Sequence, residues 1–299
     1  MRLLEFSKTF IDEESCEKHL REVREKSGIK CRKCGNHTHY WDNYNKRWEC
    51  KKCGHEMSLT SGTVMEGSKL PLMYWFSAIH LLTSTKNSFS AKEMQRQLGH
   101  KRYQPIWEMM HKLRSVMGLR DSQYQLTNEV ELDEAFFTTD NDDVQNTKGN
   151  GKPLKRGAGS ERKSKVLVMV ESEASVPTKK SHKSRKSGYI RMVHLPNLLS
   201  ETIKEEATKA INRESHILMD DSKSHAKLGG EFKEVEKKVV KQEDAPKVLP
   251  WVHIAISNAK SRFLNLYHGI KDGYLQSYLD EFCYKFNRMY FGDRLLIGL

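Results

Sequence analysis

The 299-residue sequence predicts a mixed α/β domain, with a sheet flanked by helices, that follows a small cysteine-rich module and a helical unit. Three observations predict this order. Two Cys-x-x-Cys pairs lie between residues 31 and 53, apolar residues recur at helical spacing in 71–117, and apolar runs alternate with helical segments beyond residue 120. Several strands followed by a helix, two strands and a final helix are typical of a mixed sheet. We therefore expect four domains, at residues 1–27, 28–60, 61–120 and 121–299.

The composition is strongly basic. Lys and Arg number 51 against 39 Asp and Glu, which gives a formal net charge of +12. This excess favours a polyanionic partner, either nucleic acid or an anionic membrane face. The most apolar helical segment, residues 70–82, is too short to span a membrane, and the acidic first twenty residues do not fit a secretory signal. The sequence therefore predicts a cytoplasmic protein with no membrane partner.

Residues 28–60 predict a zinc ribbon. Its two Cys-x-x-Cys pairs are separated by fifteen residues, a spacing that suits four thiolates around one structural Zn²⁺. Gly35 and Gly54 follow the pairs, where each turn needs a positive φ. The alternatives are a redox pair or unpaired thiols. The predicted zinc ligands are Cys31, Cys34, Cys50 and Cys53.

Residues 71–117 predict three helices. The first begins near Pro71, a capping box of Ser90 and Glu93 opens the second, and Gly99 marks a turn before the third, which begins near residue 103. This order is that of a helix-turn-helix DNA-binding module. A plain three-helix connector is the alternative. The residues expected to face DNA are Lys101, Arg102, Gln104, His111, Lys112 and Arg114.

Beyond residue 120, apolar runs predict five strands, at residues 130–133, 165–170, 189–194, 217–220 and 252–257. Helices are predicted at 198–211 and from residue 258 onward. Residues 139–163 and 175–188 are rich in Lys and small polar residues and predict two basic loops, the first of them mobile.

Oxygen-bearing side chains are predicted at the ends of three of these strands. Asp133 and Asp220 each end an apolar run, and Asn258 follows the last one. Oxygen ligands suit Mg²⁺, and divalent cations promote phosphodiester cleavage by neutralising the phosphate and activating the nucleophile. Singly, each residue is more often a strand end or a helix cap. Beside a zinc ribbon, a helix-turn-helix and a basic charge, the three together predict phosphodiester chemistry on DNA.

The chain resembles insertion-sequence transposases that have an N-terminal zinc ribbon and an RNase H-like catalytic domain. The cysteine pairs carry this resemblance together with EVELDEAFF, KRGAGSERKSKVLVMVE, MDDSKSH and HIAISNAKSRFLNLYHGIKDGYLQSYLDEFCYKFNR, so nearly the whole chain is covered. It implies a DDE-type site with Asp133 and Asp220 as the first two acids. Asn258 stands at the third position, in an Asn-x-Lys variant that includes Lys260. His253 also matches the family, without a defined role.

The resemblance implies a DNA transposase in which Asp133, Asp220 and Asn258 hold catalytic Mg²⁺ and Lys260 grips a phosphate or the non-transferred strand. The implied partners are double-stranded DNA, both as terminal inverted repeats and as target, and further copies of the chain in a homodimer or higher oligomer. The implied location is the nucleoid of a bacterial or archaeal cytoplasm.

Some alternatives stay open. Asp221 stands where the family has a glycine, and Asp280 or Glu281 is a second choice for the metal ligand assigned to Asn258. One alternative function is a catalytically inactive zinc-ribbon and helix-turn-helix DNA-binding protein, such as a regulator or a domesticated transposase. Another is a nuclease that cuts DNA without joining it.

Overall fold

A computed structural model of the protein describes residues 1–140, 163–175, 185–238, 248–267 and 269–288. Within these ranges the chain divides into two compact units, one formed by Met1–Val116 and the other beginning at Met117. In the same ranges, no helix has both the length and the apolarity that crossing a membrane requires.

The first half of the chain contains a small sheet between helices. Its elements are α1 (Leu3–Thr9), α2 (Glu13–Ser27), β1 (His39–Asp42), β2 (Arg47–Cys50), β3 (Glu56–Ser58), α3 (Leu72–Ser84), α4 (Ala91–Leu98) and α5 (Tyr103–Asp121). The three strands are antiparallel, in the order β1-β2-β3. The carboxylate of Glu13 accepts the backbone N–H groups of Leu72 and Met73, at 2.6 and 3.0 Å, and so joins α2 to the start of α3.

The three predicted helices of residues 71–117 are confirmed as α3, α4 and α5. The Ser90 hydroxyl caps α4 by accepting the N–H of Glu93 at 3.1 Å. The predicted capping box is only half formed, because the Glu93 carboxylate accepts hydrogen bonds from Arg96 and Gln97 instead. Gly99 ends α4 in the left-handed conformation, with φ of 64°.

One residue predicted to face DNA is buried. The prediction was wrong for Arg114, which is 1% exposed and reaches the carbonyl oxygen of Phe89 at 3.5 Å. It follows Met110 by four residues and therefore lies on the inward face of α5. Lys101 and Arg102, just before that helix, and Gln104 in its first turn are exposed, and their contact with DNA stays a prediction.

The second half contains the predicted mixed α/β domain. Its elements are β4 (Glu129–Thr138), β5 (Lys163–Ala174), β6 (Arg185–Leu195), α6 (Ser200–Ala210), β7 (His216–Asp220), β8 (Glu234–Lys238), α7 (Pro250–Leu266) and α8 (Leu275–Asn287). Among the described residues the strands form a sheet in the order β6-β5-β4-β7-β8. β6, β5 and β4 are antiparallel, whereas β4, β7 and β8 are parallel. This is the RNase H-like arrangement that the sequence predicts.

Strand alternation gives the sheet two buried faces. On one face, Ala135, Phe137 and Leu218 pack with residues of α7 and α8. On the other, Leu132 and Met219 pack with residues of α6 and the segment before β8. Odd-numbered residues of β4 and even-numbered residues of β7 therefore share the α7 face of the sheet.

The prediction of a strand at residues 252–257 was wrong, since these residues belong to helix α7. Val252, Ile254 and Ile256 alternate like a strand, yet Ile254 is 37% exposed and Ala255 is fully buried. Pro250 occupies the first turn, where its missing N–H costs nothing. The following amides find a tertiary acceptor, the carboxylate of Glu131, which supports a helix start at this point.

Other boundaries also differ from the prediction. β4 continues five residues past Asp133, because it pairs with β5 along its whole length, so Asp133 lies inside a strand and not at its end. β8, with the sequence EVEKK, has too few apolar residues to predict an edge strand. Residues 185–188, predicted as part of a basic loop, begin β6. Residues 176–184 of that loop and residues 141–162 of the first lie outside the described residues.

Candidate active site

Asp133 and Asp220 come together because they lie on adjoining parallel strands. Leu132 of β4 pairs with Met219 of β7, so each aspartate occupies the next position along its strand. By alternation both side chains belong to the α7 face of the sheet. Asp133 is mostly buried and Asp220, at the end of β7, is 42% exposed. The structure thus gathers the two predicted acids at one edge of the parallel part of the sheet.

The surroundings of Asp133 disfavour the ionised form of its carboxyl group. Burial raises the pKa of Asp133 to about 6, and the nearby charges of Glu134 and Asp220 add to the rise, against the hydrogen bond that its carboxylate accepts from the Glu134 N–H. A cation placed among these acids would relieve both effects. Carboxylate oxygens on a partly exposed strand end fit a divalent cation that prefers oxygen ligands.

His225 holds Asp220 from the other side. Its imidazole is fully buried, with Nδ1 2.9 Å from Asp220 Oδ1 and Nε2 3.1 Å from Glu134 Oε2. Although burial opposes it, the neighbouring carboxylates of Glu134 and Asp220 raise the pKa of His225. Ser224 donates its hydroxyl to the other oxygen of Glu134 at 2.5 Å. These contacts fix the orientation of the Asp220 carboxylate.

Helix α7 brings two more polar side chains to the same face. His253 Nε2 lies 3.8 Å from Asp133 Oδ2, and Lys260 follows on the same side of the helix, two turns later. Burial lowers the pKa of Lys260, and the positive charge of Lys163 lowers it further. Lys163 and Lys260 line one cavity of about 350 Å³ together with Phe136. Asp140 also lines this cavity, so its two ammonium groups and one carboxylate give it a net positive charge.

Asn258 lies on a different side of α7. Its side chain is exposed, and at 3.6 residues per turn it is about 140° around the helix from His253. Of the second choices, Glu281 is 1% exposed, and Asp280 accepts a hydrogen bond from Gln276 at 2.8 Å. Charges of Asp121 and Arg191 lie near Asp280, so it belongs to a separate polar cluster.

The four ribbon cysteines form a compact sulfur cluster. Cys31 and Cys53 have their sulfurs 3.7 Å apart, and those of Cys34 and Cys50 are 3.5 Å apart. Tetrahedral zinc with Zn–S bonds of about 2.3 Å requires sulfurs about 3.8 Å apart. The cluster therefore fits structural zinc. Gly35 and Gly54 have φ of 72° and 66°, as predicted for the turns that aim the thiolates.

Two groups of potential metal ligands with atoms within 4.8 Å of one another occur in the described part of the chain. One is the cysteine cluster, and the other is Glu134, Asp220 and His225. Glu134 and His225 are not among the site residues predicted from the sequence, although both lie in stretches that carry the resemblance. Their signal is present as an acid directly after Asp133 and a histidine five residues after Asp220.

Two family models match the chain. One, described as an ISXO2-like transposase domain, matches residues 125–287, which is more than half of the sequence. The other, described as a transposase zinc-ribbon domain, matches residues 11–56 and contains the four cysteines of the cluster. A comparison with curated proteins finds no match. The first range includes both aspartates, His225 and the whole of α7.

Proposed function

Because the chain belongs to the ISXO2-like transposase family, we propose that it binds the terminal repeats of a mobile element and catalyses DNA cleavage and strand transfer. The observation that carries this proposal is that Asp133 and Asp220 each directly follow the last paired residues, Leu132 and Met219, of two adjacent parallel strands. Bound divalent cations, taken here as Mg²⁺, would supply Lewis-acid activation of the attacking oxygen and neutralise the phosphate.

Five residues of the candidate site have separate roles in this proposal. Asp133 and Asp220 would hold the cations, His225 keeps the Asp220 carboxylate in place, and Lys260 and Lys163 would bind phosphate oxygens. In the first step, water forms a bond to phosphorus and the P–O3′ bond breaks, which releases a 3′-hydroxyl after proton transfer. In the second, that hydroxyl attacks a target phosphate, whose own 3′ oxygen leaves, so the number of phosphodiester bonds is unchanged.

The first unit supplies the proposed DNA contacts. α4, a left-handed Gly99 and α5 have the order of a helix-turn-helix, with Lys101, Arg102 and Gln104 exposed at the start of α5. Phosphate contacts by lysine and arginine release counterions, so binding should weaken steeply with salt. The charge of +12 is consistent with this partner. Pairing of two element ends would require at least a dimer.

A cleavage and strand-transfer assay on DNA with the inverted repeats that flank the gene tests the catalytic proposal. With Mg²⁺ or Mn²⁺ we expect joined products from the wild type, and a loss of at least about 10³-fold for Asp133→Asn and Asp220→Asn. Asp221→Asn is the matched control, because Asp221 is an exposed neighbour of Asp220 that approaches Lys237 at 3.9 Å. Wild-type levels of joining by Asp133→Asn would refute the proposed site.

A second function is favoured by the position of Asn258. With this amide exposed, the described residues of α7 place no third carboxylate beside the two aspartates. A DNA-binding protein without catalysis would therefore have the same fold. In that case the wild type binds the terminal repeats, Arg102→Ala weakens binding and Lys8→Ala does not, but no cleaved or joined product forms with either cation.

A further inference from the structure

A basic cleft of about 510 Å³ lies in the first unit, between the chain that precedes α3 and the first ten residues of α5. Its lining includes three exposed basic side chains, those of Lys69, Arg102 and Lys112. Glu108 and the neutral ring of His100 line it as well, so three positive charges stand against one negative charge. A cleft with this excess of positive charge attracts an anion.

The wall of the cleft opposite α5 is held in place by Glu66. Its carboxylate pairs with two nitrogens of the Arg32 guanidinium, at 2.7 and 2.9 Å, and accepts the N–H of Gly62 at 3.1 Å. The carbonyl oxygen of Glu66 accepts a hydrogen bond from the Lys112 ammonium of α5 at 2.9 Å. Because Arg32 directly follows the first cysteine of the cluster, these bonds join the ribbon, the wall and α5.

The floor of the cleft is apolar. Trp75 and Met109 are each 1% exposed, and Leu70 and Pro105 are half-buried. The indole N–H of Trp75 donates to the Ser68 hydroxyl at 3.2 Å, which ties the floor to the wall. The DNA backbone alternates a charged phosphate with a deoxyribose that has a largely apolar surface. Exposed cations above buried carbon surface match both parts of this repeat.

The cleft runs along one face of α5, next to the predicted DNA-facing side. Pro105, Glu108, Met109 and Lys112 line it at i, i+3, i+4 and i+7, which is a single helical stripe. Gln104, exposed in the first turn, lies about 40° around the helix from Glu108 and donates to its carboxylate at 2.9 Å. A phosphate in the cleft would therefore lie beside the residue that could face the bases.

We propose that this cleft binds the sugar-phosphate backbone of the DNA, with Lys69, Arg102 and Lys112 donating hydrogen bonds to phosphate oxygens. The inference rests on the proposed function and specifies how the first unit holds the DNA. An ammonium group has three donors, so Lys112 keeps two for a phosphate beside its bond to Glu66. Contacts of this kind position a protein on a duplex without reading its sequence.

The salt dependence of DNA binding by the zinc-loaded full chain tests the proposal. The probes are a duplex with the inverted repeat that flanks the gene and a scrambled duplex of the same length, between about 50 and 200 mM KCl. Lys69→Gln and Arg102→Gln each remove one charge. Each should weaken binding to both duplexes about tenfold at low salt and reduce the slope of log K against log salt by about one.

Lys8→Gln is the matched control, because Lys8 is an exposed lysine of α1 that does not line the cleft. It should keep the wild-type affinity and slope. Unchanged slopes in both cleft variants would overturn the proposal. A loss of affinity for the inverted repeat alone would assign these residues to base recognition and would overturn it as well.

Single neutral methylphosphonate linkages, placed in turn along the repeat, locate the bound phosphate. One or two neighbouring positions should weaken wild-type binding about tenfold. At those positions Lys69→Gln should lose little more, because its contact is already absent. If the two losses simply add at every position, Lys69 contacts no phosphate and the cleft is not the site.

Failure of the wider proposal is distinguishable from failure of this one. A wild type that binds neither duplex overturns DNA binding as a whole. A wild type that binds the repeat, with both cleft variants equal to it, overturns only the cleft. Binding without cleavage or joining contradicts the catalytic proposal and leaves the cleft result intact.

Discussion

The zinc ribbon of the first unit and the large sheet of the second unit are stabilised by different means. In the ribbon, β1 to β3 are strands of three or four residues, and four cysteines cluster at their turns. In the second, the strands reach twelve residues and both faces of the sheet are covered by apolar side chains. Carboxyl groups are nevertheless buried at the centre of this second unit.

This contrast predicts different roles for the two proposed metals, a structural role in the ribbon and a chemical role in the second unit. Strands as short as β3 bury too little surface to fold alone, so ligation should supply the stability of the ribbon. We expect the large sheet to bury enough apolar surface to fold without a cation, although the burial of its carboxyl groups lowers its stability. Removing metal should therefore unfold one site and leave the other folded.

The largest expected effect is the loss of the ribbon. Cys31→Ser removes one thiolate from the cluster, and zinc should fall from about one per chain to well below that. We expect residues 28–60 to lose their amide protection in hydrogen exchange while β4 and β5 keep theirs. Metal analysis and hydrogen-exchange mass spectrometry measure the two outcomes.

Cys16→Ser is the matched control for the ribbon. Cys16 is fully buried outside the cluster, with its sulfur 3.8 Å from that of Met73. The same chemical change there should leave the zinc content unaltered. If residues 28–60 keep their amide protection in Cys31→Ser without bound zinc, the ribbon does not depend on metal ligation for its stability, and the contrast with the large sheet is lost.

The next effect concerns the tie between β4 and α7. Glu131→Ala leaves the amides of Trp251 and Val252 without their acceptor and should lower the free energy of unfolding of the second unit by about 2–4 kcal/mol. Glu131→Gln keeps a carbonyl acceptor and should cost about 1 kcal/mol or less. Urea titrations of both variants measure the difference, and equal losses would show that the carboxylate does not anchor the helix.

A smaller effect follows from Asp280, a buried acid away from the two aspartates. The pKa of Asp280 is raised from 3.8 to about 6, chiefly by burial and also by the charge of Asp121, while the Gln276 hydrogen bond and the charge of Arg191 oppose the rise. Because the folded-state pKa exceeds the unfolded value, ionisation of Asp280 lowers the stability of the protein as the pH rises from about 4 through about 6. Asp280→Asn removes that loss and keeps an acceptor for Gln276.

The pH dependence of Asp280→Asn provides the measurement. Its gain in unfolding free energy over the wild type should be about 1 kcal/mol larger at pH 8 than at pH 5. Urea titrations at both pH values determine this difference. An equal gain in unfolding free energy at the two pH values would contradict the raised pKa of Asp280. It would also show that burial of this carboxyl group does not lower the stability of the second unit.

The smallest effect is local to the first unit. Ser90→Ala removes the side-chain acceptor at the start of α4 and should cost about 1 kcal/mol. Glu93→Ala should cost less, because its carboxylate pairs with Arg96 on the helix surface. Urea titration followed by tryptophan fluorescence compares the two variants. A larger loss for Glu93→Ala would show that the half-formed capping box is completed in solution.

Much of the fold follows from local pattern. The cysteine spacing, the positive φ after each pair and the helices of residues 71–117 depend on neighbours in sequence, and the structure confirms them. Asp133 and Asp220 could be singled out because each follows an apolar run. Their roles as metal ligands stay predictions, as does the role of Asn258.

What the sequence could not show depends on distant contacts. Residues 252–257 alternate like a strand, and only the Glu131 carboxylate, more than a hundred residues away, reveals a helix start. Arg114 has the basic side chain expected of a DNA contact, but it lies four residues after the buried Met110 and is buried with it. His225 becomes informative only when Glu134 and Asp220 are brought to its two nitrogens.

Small residues on α7 set the gap between helix and sheet. Ala255 and Ala259 are fully buried on the side of the helix that meets Ala135 and its neighbours. Because the alanine side chains at these positions are small, the helix axis can lie close to the strands. A larger side chain at Ala259 would move the helix away from the sheet and increase the distance between His253 and Asp133. The distance between α7 and the two aspartates is therefore set by small side chains that are not themselves part of the candidate site.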